Sequence, residues 1–218
     1  MQRAIVSSGA FRQASEFKVQ GSKFKVDAGT VDPDNRLLWH FPRRRLTAEE
    51  VRDGMLAVAG RMNGNFGGES VMPPVKQELI DLLYEPTQWQ VTPDVREHDR
   101  RSVYLVAKRN LRLPFLEVFD QPDLQTSCAR RQSSTHSPQA LELLNGELAS
   151  AMAGAFAGRL KAEAGEGSEA IIGRAFKLAA GRQPSAAERK IAAEFLANQS
   201  VEEFALAMFN LNAFLYVD

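Results

Sequence analysis

The chain has 218 residues, 44% of them hydrophobic and 25% charged, which is the profile of a folded globular protein rather than a disordered one. Lys plus Arg and Asp plus Glu each number 27, so the formal net charge is zero and no global field draws nucleic acid or anionic lipid toward it. The longest uncharged stretch, Phe204 to Val217, is shorter than the roughly 20 apolar residues a membrane helix needs. Gln2-Arg3-Ala4-Ile5-Val6 runs directly into Ser7-Ser8-Gly9, so no signal peptide is expected in this stretch. Cys128 is alone, which excludes an intrachain disulfide and a thiolate zinc knuckle. Without a second Cys and a following His there is no c-type haem attachment motif, so no cofactor is expected in this chain.

Residues 7–20 mix small, aromatic and charged types without a period, and Gly21 to Val31 reads as a loop or a short extended pair. Asp32-Pro33-Asp34-Asn35 is a turn, because Pro33 presets its own φ while Asp and Asn side chains bond nearby amides. Thr47-Ala48-Glu49-Glu50 is a capping box with Leu46 and Val51 at staple positions. Val51, Met55, Val58 and Met62 then repeat at helical spacing and predict an amphipathic helix over 48–62. Gly64, Gly67, Gly68, Pro73 and Pro74 mark a loop; no Gly-Lys-Ser/Thr follows, so it is no phosphate cradle of the Walker type. A short helix is expected from Val75 to Tyr84. Val103 to Val106 is the best strand candidate, although four apolar residues also suit a turn of buried helix.

The last third is helical. Ser137 with Pro138 opens a helix whose stripe Leu141, Leu144, Leu148, Met152, Phe156 and Leu160 carries it to Ala162. Gly154 and Gly158 offer a small-residue face for a close neighbour. A further helix over 168–180 stops at Gly181. Ser185-Ala186-Ala187-Glu188 and Ser200-Val201-Glu202-Glu203 are capping boxes for helices reaching Ala197 and Leu211. The fold class is therefore mainly α: an irregular, loop-rich N-terminal part with at most a short strand pair, then an antiparallel helical bundle over 138–218. No composition break demands two folding units, so 1–218 reads as a single domain.

Chemistry concentrates between Phe119 and Asn145. Cys128 as thiolate, His136 as base, Asp120 as orienting carboxylate and Arg130 or Arg131 lowering the thiol pKa would make a cysteine hydrolase. The plainer account pairs Asp120 and Asp123 with Arg130 or Arg131, and uses the Ser and Thr side chains to satisfy a long loop's backbone. No metal site is expected. His40, His98 and His136 are far apart, and His98 beside Asp94, Glu97 and Asp99 reads as a solvated turn. Arginines at 43–45, 100–101 and 130–131 could neutralise phosphates, but the interleaved Glu49, Glu50, Asp53, Asp94, Glu97 and Asp99 favour internal ion pairs. Trp39, Trp89 and Tyr104 read as core side chains rather than base-stacking platforms.

Several strings occur together in order: Ser8-Gly9-Ala10-Phe11-Arg12-Gln13-Ala14-Ser15, Asp32-Pro33-Asp34-Asn35-Arg36-Leu37-Leu38-Trp39, and Pro42-Arg43-Arg44-Arg45-Leu46-Thr47-Ala48-Glu49. Arg100-Arg101-Ser102-Val103-Tyr104, Lys108-Arg109-Asn110 and Phe119-Asp120-Gln121-Pro122-Asp123 follow. The last are Cys128-Ala129-Arg130-Arg131, Ser137-Pro138-Gln139-Ala140-Leu141, Leu144-Asn145 and Phe214-Leu215-Tyr216-Val217-Asp218. The set resembles the planctomycete-specific (PSD-type) domain of unknown function 1553, found in large proteins beside cytochrome-C-like modules. One position departs from it: Ala213 stands where an acidic residue is expected.

The resemblance implies a C-terminal portion of that domain and an extracytoplasmic, surface-associated setting. It also implies partners among the other domains of the full-length protein, including the cytochrome-C-like module. No nucleic-acid partner and no membrane span are expected, and a truncated domain would expose apolar surface that favours self-association. The family supplies no catalytic residue to carry over. Asp120, Arg130, Arg131, Gln139 and Asn145 are either a binding site or a polar network that holds loop to bundle. The leading expectation is a non-catalytic scaffold or interaction domain. The alternative is a hydrolase of polysaccharide or ester substrates with its site in 119–145.

Overall fold

Local turn chemistry organises the first residues of the computed structural model, which describes residues 1–13 and 28–217. The chain divides into a smaller unit, Met1–Arg45 with Tyr216–Asp218, and a larger one, Leu46–Leu215. The smaller unit holds α1 (Gln2–Val6), α2 (Ala28–Val31) and an antiparallel pair, β1 (Arg44–Arg45) with β2 (Tyr216–Val217). At the expected turn the Asp32 carboxylate accepts from the Arg36 and Leu37 amides at 2.9 and 2.7 Å, and the Trp39 indole donates to the Asp32 carbonyl at 2.9 Å. Asn35 tolerates its left-handed φ of 53° and clasps His40 through both amide atoms. Of the loop or extended pair expected at Gly21 to Val31, residues 21–27 lie outside the described residues and Ala28–Val31 forms the helix α2 instead; half of the aperiodic 7–20 stretch, residues 14–20, also lies outside them.

The larger unit begins with α3 (Ala48–Ala59). Thr47 accepts from the Glu50 amide at 3.4 Å while Glu50 accepts from the Thr47 amide at 2.8 Å, the reciprocal box expected from sequence. The helix stops at Ala59 rather than Met62, because Gly60 adopts φ 74° and the Arg61 and Met62 amides turn back to the Leu56 carbonyl. Arg159 completes the stop by donating to the Ala57 and Val58 carbonyls, both at 2.9 Å. Cations at a helix C-terminus meet the negative end of its dipole.

A run of short elements follows: α4 (Gln77–Asp81), 3-10 turns at Pro86–Gln88, Val95–Asp99 and Ser102–Tyr104, and α5 (Pro114–Val118). The strand expected at 103–106 is not formed. Ser102–Tyr104 is a 3-10 turn, and only Leu105 makes a single parallel bridge, to Val71. Val103 is 71% exposed, so those four apolar residues are not a buried run after all. A satellite core of Leu83, Trp89 and Leu111, flanked by Met72, Val75, Ile80, Val106 and Leu113, holds these pieces together.

The C-terminal helices are α6 (Ser137–Asn145), α7 (Glu147–Ala164), α8 (Ser168–Ala179), α9 (Ala186–Asn198), α10 (Val201–Phe209) and α11 (Asn212–Leu215). The single helix expected from 138 to 162 is two, because Gly146 takes an extended ψ of 144°. The break resets the helical phase. Leu141 and Leu144, counted in the core stripe, are 55% and 47% exposed, whereas Leu143 and Gln139 face inward. His136, not Ser137, stands at the cap position, and it makes no side-chain cap bond. Gly154 and Gly158 have no neighbour within 4 Å of where a Cβ would sit. The close-packing small residues are instead Ala149, Ala153 and Ala157, all buried.

α7 is the hub, packed against α3, α6, α8 and α10. Phe156, Leu160, Ile172, Met208 and Phe209 are essentially fully buried, with the Phe156 and Phe209 rings 5.7 Å apart. Each such side chain contributes about 1.5–3 kcal/mol, more than any exposed ion pair. Both remaining capping boxes form, at Ser185 with Glu188 and Ser200 with Glu203. The fold is mainly α with one two-stranded antiparallel pair, and among the described residues no helix is long and apolar enough to cross a membrane.

Candidate functional site

α5 delivers its chain into the polar segment through Asp120, which sits in the left-handed region at φ 64°. That conformation is costly for most L residues but tolerated by Asp. It aims the carboxylate at Ser134, whose amide donates at 2.8 Å and whose hydroxyl donates at 2.7 and 2.9 Å. Gln139, 2% exposed on α6, donates to the Val118 carbonyl at 3.0 Å and to Asp120 at 3.3 Å. Partial burial opposes ionisation of Asp120, but the Ser134 and Gln139 hydrogen bonds outweigh it and hold its carboxyl below the ordinary value. Asp120, Ser134 and Gln139 thus close the base of the loop between α5 and α6.

The other sequence candidates do not join that cluster. Arg131 donates to Glu49 of α3 at 2.7 Å, not to Asp120 or Asp123. Burial pushes the Glu49 carboxyl up, but the Arg131 bond and charge prevail and its pKa is lowered. Asp123 turns back to the Gln125 amide at 2.9 Å. Cys128 is exposed, and its thiol donates to the Arg130 carbonyl at 3.2 Å. Arg130 and His136 are exposed, and among the described residues no hydrogen bond joins Cys128 to His136. Asn145 ends α6 and is also exposed; the Asn that reaches into the bundle is Asn210, which donates to the Leu143 and Leu206 carbonyls.

A cleft of 440 Å3 opens beside the start of α3, between Glu49, Glu50 and Asp53 on the helix and Arg101, Lys108 and Arg131 facing them. Gln121 and Leu124 line it too, whereas Asp120, Cys128, Arg130 and His136 do not. Two of its carboxylates are engaged: Glu49 accepts from Arg131, and Asp53 from the Ser102 amide and hydroxyl, both at 2.7 Å. A general acid needs a carboxyl raised toward neutrality. Glu49 is lowered instead, as its pairing with Arg131 favours.

Beneath this cleft lies a polar network that the sequence reading missed. Arg52, 7% exposed, donates to the His98 and Arg100 carbonyls at 2.6 and 2.9 Å and to the Ser102 hydroxyl at 3.1 Å. Burial lowers its pKa, and the charges of Asp53 and Asp99 work against that fall. Arg100, 2% exposed, pairs with Glu97 at 3.1 Å, and its Nε is buried with no partner among the described residues. The signal was present. Arg52 stands three, four and seven residues before Met55, Leu56 and Ala59, so a charge occupied the apolar stripe of α3 and required buried partners.

Of the arginines expected in internal ion pairs, Arg100 pairs with Glu97, Arg101 with Asp53 and Arg131 with Glu49, and two arginines outside those groups, Arg61 and Arg96, pair with Asp99 and Asp94. His98 contacts the Thr92 carbonyl at 2.7 Å through Nε2. Among the described residues no three His, Cys, Asp or Glu side chains gather as a metal site. No curated protein and no solved structure matches the chain significantly. The profile of the family described as Protein of unknown function (DUF1553) matches residues 1–196, taking in the ordered strings from Ser8 through Asn145. The chain belongs to the DUF1553 family.

Proposed function

We propose that the chain is a non-catalytic scaffold or interaction domain of a cytochrome-linked, surface-associated protein, and that its partners are the other domains of that protein. One observation carries this reading: the bonded polar groups of the 119–145 segment, Asp120, Arg131, Ser134 and Gln139, are engaged in holding structure. Asp120, Ser134 and Gln139 clamp the loop base, and Arg131 ties the loop to α3. A hydrolase would need a thiol, an imidazole and a carboxylate converging on one substrate atom. Cys128 and His136 instead lie exposed, with the thiol bonded to a neighbouring carbonyl. In this reading haem resides on a neighbouring cytochrome-C-like module, since a lone Cys cannot supply the two thioether links of c-type attachment.

The test has two arms. The purified chain is titrated by biolayer interferometry against the cytochrome-C-like module of its own full-length protein, with binding in the micromolar range expected. It is also incubated with p-nitrophenyl esters and a panel of polysaccharides, and no turnover above a heat-treated control is expected. Absence of module binding overturns the interaction role. Turnover that is lost in Cys128→Ser or His136→Ala, with the fold intact, establishes the hydrolase in its place.

A further inference from the structure

The loop marked by Gly64, Gly67 and Gly68 is tied down at several points. The buried Arg100 guanidinium donates to the Glu69 carbonyl at 3.2 Å, to the Asn65 carbonyl at 3.5 Å and to the Gly67 carbonyl. It also lies over the Tyr104 ring, 3.8 Å from the centroid, while the Tyr104 hydroxyl accepts from the Gly67 amide at 3.0 Å. Asn63 closes the near side by accepting from the Asn65 amide at 2.9 Å. Gly67 and Gly68 hold φ of 79° and 86°, a backbone that other residues seldom adopt. Both terminal nitrogens of the buried guanidinium are engaged, on loop carbonyls and on Glu97, and only Nε is left without a partner among the described residues, so a loop held this way is preorganised rather than slack.

The residue this framework presents is Phe66, 93% exposed. A lone exposed apolar side chain is ordinary. This one stands on a held loop and lines an open groove of 900 Å3, whose exposed side chains include the amides and hydroxyls of Ser70, Thr87, Gln88 and Gln90, the Glu69 carboxylate, and the apolar Val91 and Pro93. The one arginine lining the groove, Arg100, is already paired with Glu97.

We propose that this groove binds a neutral oligosaccharide, with the Phe66 ring stacked on the apolar C–H face of one sugar and the amides and hydroxyls bonding the equatorial hydroxyls of its neighbours. The chemistry selects this class. Sugars need both a flat apolar platform and planar amide partners that donate and accept at once. Phosphate-bearing ligands would need unpaired cationic groups, and Glu69 repels them. A protein partner would be expected to set its aromatic anchor in an apolar core, whereas here the exposed amides and hydroxyls of Asn65, Ser70, Thr87, Gln88 and Gln90 outnumber the exposed apolar Val91 and Pro93.

The test is affinity electrophoresis in native gels containing hydroxyethylcellulose, xylan, glucomannan, laminarin or pullulan. Retardation by at least one polysaccharide is expected. It should weaken about tenfold in Phe66→Ala and less in Gln90→Ala, the stacked ring being the stronger contact. Because Phe66 is solvent-exposed, the variant should melt with the wild type, and a melting curve checks this. No retardation in any gel overturns the proposal, as does retardation that Phe66→Ala leaves unchanged. Loss of cytochrome-module binding on Phe66→Ala without any glycan effect also overturns it, assigning the ring to a protein contact and leaving the interaction role standing.

Discussion

Replacing Asp120 with Ala separates a structural clamp from a catalytic carboxylate. The substitution removes the acceptor of the Ser134 amide, of the Ser134 hydroxyl and of one bond made by Gln139. Hydrogen bonds to a charged group contribute about 1.5–3 kcal/mol each when shielded, and solvent replaces part of that at this half-buried site. Ala at φ 64° adds about 1 kcal/mol of backbone cost. Gln139 keeps its bond to the Val118 carbonyl, which limits the loss. The expected total is about 3 kcal/mol, or a fall in Tm of about 6–12 °C for a unit of this size. Asp120→Asn retains one acceptor oxygen and a residue that tolerates the left-handed backbone, so its fall should be about a third as large. Thermal denaturation followed by circular dichroism measures both. Hydrogen exchange should show faster amides between residues 121 and 133 in the Ala variant. A variant that melts within about 2 °C of the wild type refutes the clamp, since the hydrogen bonds would then carry no net stability.

Three further outcomes follow from the same geometry. Ser102→Ala leaves Asp53 and Arg52 each short of a buried partner and should cost about 1–3 kcal/mol in urea denaturation; a loss below about 0.5 kcal/mol counts against the network. Arg159→Met keeps the aliphatic stem but removes the cation from the Ala57 and Val58 carbonyls, with an expected loss of about 1–2 kcal/mol that an unchanged Tm would contradict. The bidentate Arg182 contact and the Ser185 amide lower the Glu188 carboxyl to about 2. The unfolded chain then binds the proton more tightly, so this contribution is complete above the unfolded value, about 4.3, and fades as pH falls toward 2. The stability gap between wild type and Glu188→Gln should therefore narrow from pH 6 to pH 2; a gap that stays constant with pH dismisses the linkage.

Helix starts were legible because their signals are local. Thr47, Ser185 and Ser200, each followed three residues later by Glu, place α3, α9 and α10 to within a residue. Internal breaks were less so. Gly146 is a tolerable helix residue by propensity, and only its extended backbone shows that the stripe through Leu141 and Leu144 turns outward before α7 begins. The 103–106 stretch failed for a different reason: its β-branched and aromatic residues suit a strand, but among the described residues no strand pairs with it beyond the Val71 bridge. In the candidate site, composition marks 119–145 as polar, but the pairing expected of Asp120 and Asp123 with Arg131 is not the one that forms. Sequence distance conceals that Glu49 lies nearest Arg131, and that Ser134 lies nearest Asp120.

The Leu46 amide donates to the Leu215 carbonyl at 2.9 Å, so the 170-residue stretch from Leu46 to Leu215 enters and leaves at a single doorway. A stretch whose two ends already touch is a natural cassette: it can be lifted out, grafted into a host loop, or rejoined head to tail and reopened elsewhere with little added closure entropy. A circular permutant linking Leu215 to Leu46 and reopened in the exposed 124–130 segment should keep the helical core, giving a compact reagent for partner mapping.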